Sequence, residues 1–249
     1  MTNLNNKVAL ITGSARGIGK AIAERYGTLG ASVVVNYVAS EGPAQETVAT
    51  INRLGGVATA IQADVSKVAD IERLFTKTIE QYGHLDIVVA NAGLELVGKS
   101  MIDITEAEFD RLFNVNTKGV FFTLARAAKY IADRGRIVYV GSSSTGFPMP
   151  GYSLYSGSKM APCFFVEVLA KELGARGVTV NSILPTVTEG AGLSTDEVRP
   201  QAREFLRTFN PMQRAGTLTD VAGAAEYLAG DLSAFVSGQH LLLTGGGPA

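Results

Sequence analysis

The sequence predicts a single α/β domain in which about seven parallel strands form a doubly wound sheet with helices on both faces. Short β-branched apolar runs alternate with longer segments of helical period, as in strands joined by crossover helices. Several runs have no polar residue at alternate positions, which is typical of a sheet covered on both faces. No linker rich in Pro, Gly or Ser divides the 249 residues, so we predict one domain over 1–249.

The predicted strands cover residues 7–12, 32–36, 57–61, 85–90, 136–141, 178–184 and 239–243. The predicted helices lie near residues 17–29, 43–54, 68–82, 106–131, 153–173 and 220–228. Residues 186–214 contain Pro200 and Pro211 and have no clear strand pattern. Long irregular segments in compact domains are often binding loops, so we predict a substrate lid here.

Composition excludes several classes of function. The 22 basic and 23 acidic side chains give a net charge of -1, so nucleic acid is not an expected partner. The N-terminus lacks the pattern of a signal peptide, and no apolar run reaches the ~20 residues of a membrane span. The single Cys163 lies in an apolar helical stretch and suits a reducing compartment. We expect a cytoplasmic protein with neither a membrane nor a metal site.

A glycine-rich turn follows the first predicted strand. It reads Thr-Gly-Ser-Ala-Arg-Gly-Ile-Gly, and a helical pattern begins within it. A diphosphate needs close approach to the backbone and gains from the N–H groups at a helix N-terminus. Glycines also make tight turns for packing alone, so the turn by itself leaves both interpretations open. The candidate cofactor residues here are Gly13, Ser14, Arg16, Gly17, Ile18 and Gly19.

Four further motifs occur in a fixed order: Asp64-Val65, Asn91-Ala92-Gly93, Tyr155-x-x-x-Lys159 and a Thr-Gly-Gly-Gly tail at 244–247. Together with the glycine turn, they resemble the short-chain dehydrogenase/reductase family over nearly the whole chain. The resemblance implies a Rossmann-like fold, a nicotinamide cofactor and hydride transfer to or from a carbonyl or alcohol carbon. It also implies a homotetramer, and cofactor contacts from Asp64, Val65, Asn91, Ala92, Gly93, Pro185 and Thr188.

Tyr155 and Lys159 are four residues apart on a predicted helix, so their side chains share a face. A free tyrosine has a pKa near ~10, so acid–base catalysis by the phenol needs a nearby cation, which Lys159 supplies. Without the other motifs this spacing is that of an ordinary amphipathic pair. The resemblance implies that Tyr155 protonates the carbonyl oxygen and that Lys159 also holds the nicotinamide ribose.

The assisting serine comes from three consecutive serines at 142–144. Aligning the family's Ser-x-x-Gly on Gly146 predicts Ser143, although its spacing to Tyr155 is then one residue shorter than is common. Ser142 is the alternative, and all three serines also suit backbone contacts in a turn.

The resemblance further implies an asparagine that interrupts a long helix and anchors a water molecule beside the lysine. Asn116 is predicted over Asn114, because only Asn116 has both a preceding valine and a glycine three residues later. A mid-helix asparagine close to a glycine is locally unfavourable for helix, which suits a functional site.

Cofactor choice depends on the end of the second strand, where an acidic residue would favour NAD and repel a 2′-phosphate. The strand ends in Asn36 and Tyr37, and Arg16 and Ser40 offer a cation and a hydroxyl to a phosphate, whereas Glu41 opposes one. The pattern resembles NADP-using members, including reductases of naphthol-type polyketides. We therefore predict NADP(H), with Asn36 and Tyr37 as further cofactor contacts.

Two positions depart from the family pattern. Pro185 is followed by Thr-Val-Thr-Glu-Gly where the family has Pro-Gly, which leaves the nicotinamide contact of Thr188 open. Pro162 lies inside the catalytic helix and cannot donate to the carbonyl of Ser158, so we predict a modest bend.

The predicted function is NADP(H)-dependent reduction of a ketone or aldehyde to an alcohol, or the reverse. The alternatives are a 3-ketoacyl-carrier-protein reductase, which would need a basic patch for an acidic carrier, and a non-catalytic cofactor sensor. The candidate basic patch is Arg126, Lys129 and Arg176. The predicted lid suggests an apolar or aromatic ketone through Leu193, Phe205, Leu206, Phe209 and Met212.

Overall fold

The computed structural model describes residues 2–192 and 209–247 and shows a seven-stranded parallel sheet. The strands are β1 (Val8–Ile11), β2 (Ser32–Tyr37), β3 (Val57–Gln62), β4 (Ile87–Ala90), β5 (Arg136–Val140), β6 (Thr179–Pro185) and β7 (His240–Leu243). The helices are α1 (Gly17–Thr28), α2 (Glu41–Arg53), α3 (Val68–Tyr82), α4 (Glu106–Phe113), α5 (Val120–Tyr130), α6 (Ser153–Leu173) and α7 (Leu218–Ala229). The predicted fold class is confirmed.

The strand order is β3-β2-β1-β4-β5-β6-β7. Chain order runs outward from β1 on one side, towards β3, and from β4 on the other, so the topology reverses between β1 and β4. In open parallel sheets, ligands bind at the carboxyl ends of the strands at such a switch point. The segments that follow β1, β4, β5 and β6 therefore meet along one edge.

The core forms two layers because successive strand residues point to opposite faces. Val8, Leu10 and Val34 face α3, α5 and α6. Ala9 and Ile11 face α1, α2 and α7. Apolar residues at every position of β1 and β4 are thus explained by helices on both sides, as predicted.

Element boundaries agree closely with the sequence prediction, with one correction. The strand ends lie within two residues of those predicted, and α3 and α6 have the predicted bounds. α2 begins at Glu41 rather than at Pro43, because a proline in the first turn loses no helical hydrogen bond. The long helical segment predicted over 106–131 extends over 106–130, and a π-helical segment, Asn114–Gly119, lies between α4 and α5, where the interruption at Asn116 was expected.

The predicted lid is described only at its two ends, 186–192 and 209–214. Leu193, Phe205 and Leu206 lie outside the described residues. The first end is anchored, because Thr188 forms a parallel bridge with Gly216 and the Glu189 N–H donates to the Gly216 carbonyl at 2.9 Å. Within residues 2–192 and 209–247, no helix is both long and apolar enough to cross a bilayer.

Candidate active site

The glycine turn after β1 packs directly against the segment after β4. Gly13 and Gly17 have φ of +62° and +57°, which favours glycine. A Cβ on Gly13 would lie 2.9 Å from Ala92 Cα, and a Cβ on Gly19 would lie 2.5 Å from Asn91 Nδ2. The close packing of the turn therefore tolerates no side chain at these two positions.

Side chains from both segments lock this contact. Asn91 Nδ2 donates to the carbonyls of Thr12 at 2.9 Å and of Gly13 at 3.1 Å. Thr12 Oγ1 in turn accepts from the N–H groups of Asn91 at 3.0 Å and Ala92 at 3.1 Å. Thr12 was not predicted as a site residue, although it directly precedes the first glycine. The amide of Asn91 supports the turn rather than facing outward.

Asn36 and Ser14 also point into the protein. Asn36 Oδ1 accepts from the Gly13 N–H at 3.1 Å, and its Nδ2 donates to the carbonyls of Ile61 at 3.2 Å and Ala63 at 3.0 Å. Ser14 Oγ donates to the Ile11 carbonyl at 2.7 Å and accepts from the Asn36 N–H at 3.0 Å. The predicted cofactor contacts through these side chains are corrected, because each is buried and bonded from beneath the turn.

The end of β3 contributes Asp64 and Val65. Asp64 Oδ1 accepts from the Ser66 N–H at 2.9 Å and the Ser66 hydroxyl at 2.7 Å, and its side chain stays half-exposed. Val65 is buried, and a Cβ on Gly119 would lie 2.7 Å from its carbonyl oxygen. Asp64 is thus still open to a ligand, whereas Val65 packs against the π segment.

The candidate 2′-phosphate residues stand at two helix N-termini. Arg16 is exposed at the N-cap of α1, next to Gly17 and the half-buried Ile18. Ser40 is half-buried at the N-cap of α2, where its hydroxyl makes no capping bond. Tyr37 is buried at the end of β2, three residues before Ser40. A cation and two helix N-termini make this edge favourable for an anion.

Tyr155 and Lys159 lie one turn apart near the start of α6, at the edge where β4 and β5 end. Lys159 is only 4% exposed, and its Nζ donates to the Val140 carbonyl at 3.2 Å. A Cβ on Gly93 would lie 2.9 Å from Lys159 Nζ and 3.3 Å from Asn116 Oδ1. The structure thus brings Gly93, Asn116 and Lys159 together, as the family resemblance implies.

Burial determines the direction of both pKa shifts at this pair. Burial raises the pKa of Tyr155, the charge of Glu95 adds to the increase, and a hydrogen bond from Ser142 opposes it. Burial lowers the pKa of Lys159 to about 8. The expectation that Lys159 lowers the phenol pKa is not met here, because the ammonium is directed at the Val140 carbonyl.

The structure brings Ser142, rather than the predicted Ser143, close to Tyr155. Ser142 opposes the rise in the pKa of Tyr155, and its Oγ lies 2.9 Å from Ser144 Oγ. Ser142 is extended two residues after β5, whereas Ser143 begins a 3-10 turn. The geometry therefore favours the alternative, Ser142, as the candidate serine.

Asn116 holds the segment after β4 against α6. Its Oδ1 accepts from the Leu94 N–H at 2.8 Å, and its Nδ2 donates to the Leu94 carbonyl at 2.9 Å and to Ser158 Oγ at 3.0 Å. Asn116 is fully buried, whereas Asn114 lines an open groove with Phe113 and Phe121. The π segment places Asn116, rather than Asn114, beside the catalytic lysine.

Comparisons with known proteins identify the family. A family model described as enoyl-(acyl carrier protein) reductase, of the short-chain dehydrogenase type, matches residues 13–247. The chain is a short-chain dehydrogenase/reductase. It is 40% identical to the hydroxynaphthalene reductase-like protein Arp2 of Metarhizium brunneum, covering 98% of this chain and 96% of that protein.

Two solved structures of the same family resemble the whole fold. A short-chain dehydrogenase from Burkholderia cenocepacia, in complex with NADP, has a TM-score of 0.91 and 36% identity, covering 98% of each chain. LugOII, a promiscuous reductase that catalyses keto-reduction at C1 during lugdunomycin biosynthesis, has a TM-score of 0.91 and 36% identity over 98% of this chain and 99% of that one.

The loop after β6 distinguishes this dehydrogenase/reductase from the expected Pro-Gly pattern. Pro185 is the last residue of β6 and pairs with Leu243. Thr188 is buried, and its hydroxyl donates to the Thr186 carbonyl at 2.9 Å. A Cβ on Gly17 would lie 3.6 Å from the Gly190 carbonyl, so the loop runs beside the glycine turn.

Sequence reasoning missed two further residues of the dehydrogenase/reductase site. A Cβ on Gly192 would lie 2.5 Å from Glu95 Oε2, so this acidic side chain lies under the lid end as well as close to Tyr155. Phe147 and Phe209 pack with ring centroids 5.5 Å apart. Neither Glu95 nor Phe147 belongs to a motif, so only the folded chain shows their position.

Proposed function

We propose that the enzyme is an NADP(H)-dependent carbonyl reductase that converts a ketone or aldehyde to an alcohol, or the reverse. The observation that carries the proposal is that Ser142 lies close enough to Tyr155 to oppose the rise of its pKa, at the carboxyl edge of the sheet, with Lys159 one turn away. Two hydroxyl groups thereby converge where one carbonyl oxygen would receive a proton.

The residues fit a dinucleotide because Arg16 is exposed and makes no capping bond at the N-terminus of α1, so the first N–H groups of that helix stay available to a diphosphate. NADPH, when bound, supplies the hydride to the carbonyl carbon. Tyr155 donates its phenolic proton to the carbonyl oxygen as that oxygen gains the electron pair, and Ser142 hydrogen-bonds the same oxygen. Lys159 would hold the ribose hydroxyls from its buried position one turn after Tyr155.

The proposed cofactor contacts lie in the glycine turn and at or just after the ends of β2, β3, β4 and β6. The set is Gly13, Ser14, Arg16, Gly17, Ile18, Gly19, Tyr37, Ser40, Asp64, Val65, Asn91, Ala92, Gly93, Pro185 and Thr188, with Asn36 as a support. Arg16 and Ser40 select the 2′-phosphate, since no acidic side chain ends β2. The NADP complex of the Burkholderia structure supports this choice.

The proposed substrate is an apolar or aromatic ketone. The Phe147 and Phe209 rings pack together where the loop after β5 meets residues 209–214. Met212, three residues after Phe209, is exposed. The reductase names of Arp2 and LugOII support a carbonyl substrate. Aromatic rings favour flat apolar ligands through stacking and burial.

Within residues 2–192 and 209–247, the predicted basic patch is paired with acidic side chains, which weakens the case for a carrier-protein substrate. Arg126 and Lys129 both pair with Glu72, and Arg176 pairs with Asp133 at 2.8 Å. Two carboxylates thus offset two of the three positive charges that were candidates for an acidic carrier.

We also propose a cytoplasmic homotetramer. Phe121 on α5 and Phe164 and Val168 on α6 are exposed apolar residues on the helices that would pair with a second copy. The half-buried Cys163 suits a reducing compartment.

Turnover of a panel of ketones with NADPH or NADH, followed at the nicotinamide absorbance, tests the function. We expect oxidation of NADPH with apolar aromatic ketones and little with NADH. Turnover of carrier-bound 3-ketoacyl chains alone would favour the alternative substrate, and no turnover of any carbonyl or alcohol would overturn the proposal.

A further inference from the structure

Pro162 leaves a gap in the hydrogen bonding of α6. A proline inside a helix has no N–H, so the carbonyl four residues earlier loses its helical donor. That carbonyl belongs to Ser158, which is fully buried and lies directly before Lys159. A buried carbonyl without a donor is costly, so α6 needs a replacement donor at this point.

Thr117 supplies the replacement from the π segment. Its Oγ1 donates to the Ser158 carbonyl at 2.9 Å. The neighbouring Asn116 donates to Ser158 Oγ at 3.0 Å, and Ser158 Oγ donates to the Tyr155 carbonyl at 2.7 Å. Two consecutive residues of the π segment therefore hold one residue of α6, in the turn between Tyr155 and Lys159.

This contact departs from the usual behaviour of a helical threonine. A threonine hydroxyl in a helix commonly donates to a carbonyl three or four residues earlier in its own helix. A hydroxyl has one hydrogen to donate, and here that hydrogen is directed to another helix. The π segment, which also turns Asn116 inward, allows Thr117 to cross to α6.

We propose that Thr117 is a positioning residue, whose hydroxyl replaces the donor that Pro162 lacks and thereby holds the Tyr155–Lys159 turn in place. The inference rests on the proposed function of that turn. The hydrogen-bond exchange itself is a property of the fold, so it is testable without turnover.

The first test is a double-mutant cycle with Thr117→Val and Pro162→Ala, measured by urea unfolding. Thr117→Val leaves the Ser158 carbonyl without a donor, so the folding equilibrium constant should fall roughly tenfold or more. In the Pro162→Ala background, the introduced alanine provides a backbone N–H, and the same change should cost less than about threefold. Losses that add in the double variant would overturn the exchange.

The second test asks whether the contact positions the catalytic turn. Thr117→Val should lower kcat roughly tenfold while the KM for NADPH stays within about twofold, since only the reacting geometry is disturbed. Adding Pro162→Ala to Thr117→Val should restore most of kcat. Thr117→Ser alone, which keeps the hydroxyl donor, should retain most of kcat. If Thr117→Val fails to fold, comparison of Thr117→Ser with the double variant still measures the rescue.

These outcomes separate the inference from the proposed function. A wild-type enzyme that reduces carbonyls, with additive unfolding losses or an unchanged kcat in Thr117→Val, would overturn the inference alone. A wild-type protein that turns over no carbonyl or alcohol would overturn the proposed function, and the positioning role with it, even where the unfolding cycle shows coupling.

Discussion

The proposed catalytic turn, from Tyr155 to Lys159, and the proposed cofactor-selecting edge at Arg16 are built in opposite ways. Ser158 and Lys159 are buried, and they are held by the Val140 carbonyl of β5 and by the Asn116 side chain of the π segment. Arg16, in contrast, is exposed at a helix N-cap. Chemistry that depends on the position of one proton needs the first kind of environment, whereas recognition of a phosphate needs only a cation within reach.

The difference has an energetic side. Holding an ammonium in a buried position is unfavourable, which is why burial lowers the pKa of Lys159 to about 8. An exposed arginine carries no such penalty. The catalytic turn should therefore reduce the stability of the fold, and the selecting edge should be nearly neutral.

The largest expected effect is that of Tyr155→Phe. Turnover should fall by ~10³-fold or more, because general acid catalysis contributes about 10²–10⁴-fold and no other group replaces the proton. NADPH affinity, measured by fluorescence titration, should stay almost unchanged. Tyr152→Phe, at the start of the same helix, is the matched control and should stay within about threefold. Retention of a tenth of turnover by Tyr155→Phe would reject its role.

Substitution of Ser142 or Ser143 tests which of the two serines assists Tyr155. Ser142→Ala should lower kcat by ~10²-fold, because it removes a donor to the carbonyl oxygen. Ser143→Ala, at the adjacent position, should lose less than about threefold. Steady-state kinetics with one ketone decides between them, and the reverse ranking would restore the sequence-based assignment of Ser143.

Replacing the buried lysine should raise the free energy of unfolding while abolishing turnover. In Lys159→Met, the unfolding free energy at pH 7 should rise by about 1–3 kcal/mol, since a lysine pKa of about 8 instead of 10.5 corresponds to roughly 3 kcal/mol and the bond to Val140 is lost. Turnover should be lost, and NADPH affinity should weaken because the ribose contact is gone.

The pH dependence of this gain has a defined sign. Below pH 8 the lysine is charged in both the folded and unfolded states, so the wild type carries the full penalty. As pH rises from 8 to 10.5, the folded state releases its proton first, and the advantage of Lys159→Met should shrink. Urea unfolding at pH 7 and pH 10 measures this, with the exposed Lys171→Met as control. A constant difference would show that burial does not carry the effect.

The same contrast explains what could be predicted from the sequence. The strands and the fold class follow from apolar runs that are local in the chain, so their ends were predicted within two residues. Tyr155, Lys159 and the glycine turn belong to motifs with fixed spacing. The family resemblance also implied that Asn116 interrupts its helix, which suits the low preference of asparagine and glycine for the interior of a helix.

The residues that sequence reasoning placed wrongly depend on side-chain direction. Asn36 was expected to contact the cofactor, but its side chain is directed towards the carbonyls of Ile61 and Ala63. Ser142 and Ser143 differ only in which of them still belongs to the extended strand end. The partner of the Ser158 carbonyl lies 41 residues away, at Thr117, and no local pattern specifies it.

The smallest effect is expected at the selecting edge, where Arg16→Ala should weaken NADPH binding by roughly tenfold or more, since a charge-assisted phosphate contact is worth ~1.5–3 kcal/mol. NADH lacks the 2′-phosphate, so its dissociation constant should barely change, and stability should stay within ~0.5 kcal/mol because Arg16 is exposed. Arg53→Ala, an exposed arginine at the far end of α2, controls for the loss of one positive charge. A parallel rise in both dissociation constants would mean that Arg16 supports the glycine turn, and a wild type that prefers NADH would reject phosphate recognition at this edge altogether.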